Sequence, residues 1–227
     1  KVKHCPIPFL RIPFLPFFFA RLKTHFILFT LVCKLFAVMA NRAYLFATND
    51  ATKHLNNLSE ARFPIPFWYK LLMGFQVEMV PSQLWDEKEP IALRARLSPG
   101  LERLFEFGQY LQSQELPDVD LLIDFLDRTQ QFFNQDRASA SWLFLEAAEI
   151  YDLIPEEPVE EQNEQLLFEI QRIYVDLGKI LKDKPDDIRK FSGAVWIKDL
   201  FNDWEASMDV RWSEELSYAL EDQEEDF

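Results

Sequence analysis

The chain has 227 residues and a formal net charge of −14, with 48% hydrophobic and 15% aromatic side chains. That length suits one domain, and that apolar content excludes a disordered chain. The acidity argues against nucleic acid and against an anionic membrane surface, since both are held by Lys and Arg; it favours a basic protein partner.

The averages hide two unlike pieces. Residues 1–38 carry six basic residues and no acid, whereas 39–227 hold 18 basic against 38 acidic residues, a net charge of −20. Both cysteines (Cys5, Cys33) precede Met39, and all five glycines follow it. Pro6, Pro8, Pro13 and Pro16 interrupt the first half, and a spanning helix needs about 20 mostly apolar residues. Residues 1–38 therefore read as a non-domain segment, translated from upstream of a true start at Met39. A signal peptide cleaved around Val38-Met39-Ala40 and a basic arm are the alternatives. One domain is expected over 39–220, followed by an acidic tail at 221–227 that frays.

Within the body, Arg42–Thr48 reads as a first strand with apolar residues on both faces, ended by Thr48-Asn49-Asp50. The stretch to Glu60 reads as polar loop holding His54. Pro66 is suited to open a helix and Gly74 to close it, with Phe67, Leu71 and Met73 inward and Trp68 or Tyr69 toward an edge. Gln76–Val80 fits a short strand, and 81–90 a loop anchored by Trp85. Ile91–Leu97 alternates apolar and basic positions, which places Arg94 and Arg96 on one face of a half-exposed strand, balancing local acids.

Ser98-Pro99 forms a helix start, the serine capping, with Leu101, Leu104, Phe105, Gly108 and Leu111 as one stripe. Asp118 caps a second helix through Leu122, Phe125, Leu126, Thr129, Phe132 and Phe133, and the short link makes the two a hairpin. Ser141–Glu146 is a buried strand, and Ala147–Leu153 either extends it or forms a helical turn. Val159–Lys182 is the longest helix, with Leu166, Leu167, Ile170, Ile173, Tyr174, Leu177 and Leu181 on its stripe. The segments 193–204 and 210–220 are ambiguous between helix and edge strand. The fold class is α+β: a small sheet packed on a helical hairpin and one long helix.

The body lacks cysteine, its one histidine is His54, and it has neither G-x-S-x-G nor a Gly-rich phosphate loop. These absences argue against thiol, triad and simple nucleotide chemistry. Glu146, Glu149 and Asp152 are spaced by three and would share a helical face, a pattern able to hold a divalent cation or transfer protons. The same trio serves equally as a solvated or partner-facing surface. Arg42 is expected to pair with an acid at the sheet end, or to touch a partner. Trp68, Tyr69 and Trp85 are candidates for exposed interface anchors, where Trp and Tyr are enriched.

Met39-Ala-Asn-Arg-Ala-Tyr-Leu-Phe46, Phe63-Pro-Ile-Pro-Phe67, Tyr69-Lys-Leu-Leu72, Ser82-Gln-Leu-Trp85 and Phe144-Leu-Glu-Ala-Ala-Glu-Ile-Tyr-Asp152 together carry a resemblance. On these residues the body resembles an uncharacterised family of small bacterial proteins, a domain of unknown function, over most of 39–182. The resemblance transfers no catalytic residue and no cofactor. The expectation is a non-enzymatic bacterial interaction protein, monomeric or weakly dimeric and immunity- or antitoxin-like in its most concrete form. It is cytoplasmic unless residues 1–40 are a signal peptide. The alternative is a small carboxylate enzyme or divalent-metal protein using Glu146, Glu149 and Asp152.

Overall fold

The computed structural model describes residues 42–49, 55–85, 89–133, 140–151, 153, 156–191 and 193–215. Expectations on residues 1–38, His54, Asp152 and the 221–227 tail fall outside the described residues. Five strands, β1 (Arg42–Thr48), β2 (Asn56–Arg62), β3 (Glu78–Val80), β4 (Ala92–Arg96) and β5 (Trp142–Glu146), form one antiparallel sheet in the order β2-β1-β5-β4-β3. The α+β class holds.

All seven residues of β1 are buried, as its two apolar faces require. Ala43, Leu45 and Ala47 join Leu93, Ala95, Leu143 and Leu145 in the main core beneath the helices. Tyr44, Phe46 and Phe144 form a smaller cluster on the opposite face with Leu84 and Trp142. The polar loop expected up to Glu60 is instead strand β2 from Asn56 onward. Backbone pairing to β1 makes it, and an edge strand needs few apolar residues. A bulge opposite Leu45 and Phe46 accompanies the burial of two successive residues, Leu58 and Ser59. The free edge of β2 is then covered: Ser213 donates to the Leu58 carbonyl at 2.9 Å, and the Ser59 hydroxyl donates to the Arg211 carbonyl.

Helices α1 (Phe67–Leu72), α2 (Leu97–Gln112), α3 (Val119–Phe133), the single turn α4 (Ala148–Tyr151), α5 (Val159–Asp183), α6 (Val195–Asn202) and α7 (Trp204–Met208) enclose the main core. Trp68 and Tyr69 do not face an edge; both are fully buried. Trp68 stacks on Phe125 at 4.6 Å, while Trp196 of α6 stacks on Phe67 at 5.2 Å. Helix α1 thus has partners on several sides, which its own short sequence does not reveal.

Helix α2 begins at Leu97, directly from β4, so the cap position falls on Arg96 and Ser98 bonds Glu102 instead of capping. Asp118 does cap α3, accepting from the Asp120 and Leu121 amides at 2.9 and 3.2 Å. The ambiguous 193–204 stretch is helical, and Trp212 makes a single bridge to Ser59. Arg94 pairs with Glu78, whereas Arg96 stacks 3.7 Å over the Trp142 ring. No helix among the described residues is long and apolar enough to cross a membrane.

Candidate functional site

After β3, the backbone of residues 82–85 is organised around one carboxylate. Glu146, the last residue of β5, is fully buried and accepts from the Ser82 hydroxyl at 2.9 Å and the Gln83 amide at 2.7 Å. The Ser82 oxygen in turn accepts from the amides of Leu84 and Trp85 at 3.0 and 2.9 Å. Burial pushes the Glu146 carboxyl above its ordinary range, and the bonds from Gln83 and Ser82 pull it back part of the way. Trp85 is therefore not the anchor of its loop. Glu146 is, and Trp85 is held outward with 43% of its surface exposed.

Glu149, in α4, accepts from the Tyr44 hydroxyl at 2.8 Å and from the Arg42 amide at 3.2 Å. Burial and the neighbouring Glu149 raise the Tyr44 hydroxyl well above its usual range, so it stays protonated and donates. The Arg42 side chain is nearly buried and reaches Glu60 at 3.5 Å, the acid pairing expected of it. Burial leaves Arg42 little surface for a partner, and Trp68 and Tyr69 none.

Glu146 and Glu149 are thus held by separate sets of donors, because β5 ends between them and only Glu149 lies on helix. Asp152 lies outside the described residues. Among the described residues no group of three or more His, Cys, Asp or Glu is placed to hold a metal ion.

What the fold does build is a cleft of about 440 Å³ between the loop before β4, α4 and the start of α5. Trp85, Ile91 and Val159 supply apolar walls, and Glu89, Glu149 and Glu160 bring carboxylates. None of these three carboxylates is ion-paired with a described residue. The two donors on Glu149, a backbone amide and a phenol, bring no counter-charge to it. The frame behind the cleft is tied by buried side-chain hydrogen bonds. Asn163, fully buried, accepts from the Tyr151 hydroxyl at 3.1 Å and donates to the Pro90 and Ala92 carbonyls at 3.0 and 3.3 Å. Gln162 donates to the Tyr151 and Glu157 carbonyls at 3.1 and 2.8 Å.

Sequence reasoning assigns no site role to Ser82, Gln162 or Asn163, although Gln162 and Asn163 sit four and three residues before Leu166. Polar residues continuing an apolar stripe backward are a signal of buried hydrogen bonding. Glu89 and Glu160 had no such signal, since they are two exposed acids in an acidic chain.

An antiparallel α+β domain with an acidic, tryptophan-walled cleft is the class that fold and site define. The chain belongs to the family described as Domain of unknown function (DUF7822), which matches residues 44–184. That span runs from β1 to the end of α5 and contains Trp85, Glu146, Glu149 and Asn163. No curated protein and no solved structure matches the chain.

Proposed function

We propose that this protein is a non-enzymatic interaction protein that binds a basic protein partner at the cleft bordered by Trp85, Glu89, Glu149 and Glu160. The observation that carries this reading is the set of accessible carboxylates, none ion-paired among the described residues, around a half-exposed indole. A guanidinium or ammonium entering there gains charge-assisted hydrogen bonds and the face of Trp85. The net charge of −14 steers such a partner toward the protein from a distance. The reading assigns no reaction and no cofactor, since Glu146 serves as a loop anchor and Glu149 as the acceptor at the start of β1. Its concrete form is an immunity or antitoxin-like protein in a bacterial cytoplasm, monomeric or weakly dimeric, with a basic toxin as partner.

Native co-purification tests it. A stoichiometric basic protein is expected, and the double variant Glu89→Gln/Glu160→Gln is expected to slow its association about tenfold and flatten the salt dependence. An acidic partner, or association unchanged by the double variant, would overturn the reading.

A further inference from the structure

A second groove lies on the other side of α4. It occupies about 690 Å³ between the Phe63–Ile65 segment and the first turns of α5. Phe63 and Leu153 line it with 63% and 50% of their surfaces exposed, whereas most large apolar side chains among the described residues are buried or half-buried. Ile150 and Leu166 supply further apolar lining. Lys70 is the one cation among the described lining residues, and it is tied to Glu169 at 2.7 Å. Glu157 makes no ion pair with a described residue, so among the described residues the groove combines an apolar lining with one more acid than base.

We propose that this groove is the anchor site for one large apolar side chain of the same basic partner, carried next to a lysine or arginine. The inference rests on the reading of the acidic cleft given above. Three observations support this occupant. The volume is that of a ligand pocket and accepts a Leu- or Phe-sized group. The remaining charge complements a cation beside the anchor. The two sites also share their scaffold: Glu149 lines the cleft while Ile150 and Tyr151 line the groove, and both sites reach the start of α5. Because the Gln162 and Asn163 bonds already hold that scaffold, little ordering is needed on binding. Charge at the cleft then governs association, and the apolar anchor governs dissociation.

The test uses the full chain and fluorescein-labelled twelve-residue peptides, followed by anisotropy. One peptide alternates arginine and glycine, a second has a central leucine in place of one glycine, and a third keeps the leucine but has serine for every arginine. The leucine–arginine peptide is expected to bind about tenfold more tightly than the arginine–glycine peptide. That gain is expected to vanish in Phe63→Ser and in Leu153→Ser, through faster dissociation with an unchanged salt slope. Equal affinity of the two arginine peptides, or a gain that survives both substitutions, overturns the groove and leaves the acidic cleft standing. Binding of the serine–leucine peptide as tight as that of the leucine–arginine peptide overturns the basic character of the occupant. Absence of arginine-peptide binding removes both sites. Self-association lost on Phe63→Ser, seen by sedimentation, reassigns the groove to a second copy of the chain.

Discussion

Glu146 is a carboxylate placed where water does not reach, and two donors, the Ser82 hydroxyl and the Gln83 amide, tie residues 82–85 to the end of β5. A carboxyl raised by burial is protonated more readily in the folded than in the unfolded chain. From about 4.5, its ordinary value, up to the raised folded value, the folded state therefore binds more protons. Across that window stability falls as pH rises. Glu146→Gln lacks this titration. The difference in melting temperature between the parent and the variant should accordingly decline as pH rises from about 4.5 toward neutrality. A difference that stays flat would show that burial does not govern this group. Spacing in the sequence placed Glu146 beside Glu149 and Asp152 as one cluster. Position relative to the end of β5 separates Glu146 from Glu149, and spacing alone does not contain that information. Of the two tryptophans expected as exposed interface candidates, Trp85 is exposed and Trp68 is not, for a similar reason. The first is held outward by its backbone and the second is covered by helices distant in the chain.

At the level of elements, close approach is the property least visible in sequence. Gly100 sits in the first turn of α2, where a Cβ would collide with the Leu72 carbonyl oxygen at the end of α1. That oxygen belongs to the backbone and cannot move aside as a side chain can. Gly100→Ala should therefore destabilise the fold by about 3 kcal/mol, despite the better helix propensity of alanine. Urea denaturation would measure it, and a neutral or stabilising result would contradict the packing of α1 on α2. Gly108 plays a milder part, since its Cβ would meet the Leu126 side chain of α3 at 2.6 Å. The α2–α3 pair itself was legible, because its stripes and the Asp118 cap are local features. Strand β2 was not. Its polar composition matches a loop, and only pairing with β1 on one side and cover from residues 211–213 on the other make it sheet.

Across the whole molecule, the family match ends at residue 184 while the core does not. Trp196, Ile197, Leu200, Trp204, Met208 and Val210 all belong to the main core. Arg128 fastens this segment through the carbonyls of Val210 and Met208 at 2.9 and 3.1 Å, and Trp204 donates to the Asp118 carbonyl at 2.8 Å. Six buried side chains at about 1.5–3 kcal/mol each are comparable with the whole stability of a domain, about 5–15 kcal/mol. A chain ending at Lys184 should consequently lose its cooperative unfolding transition by circular dichroism. An unchanged urea midpoint would show that the 185–215 segment is an accessory.

The sequence by itself determined the α+β class, strands β1 and β5, the α2–α3 hairpin and the length of α5. Each of these follows from apolar spacing and capping within one stretch of chain. Only the tertiary structure decided which tryptophans are buried, that β2 is an edge strand, and that Glu146 anchors a loop while Glu149 faces a cleft. Burial and pairing depend on what lies opposite a residue, and here the opposite surface comes from distant segments, 152 residues away where Ser59 meets Arg211.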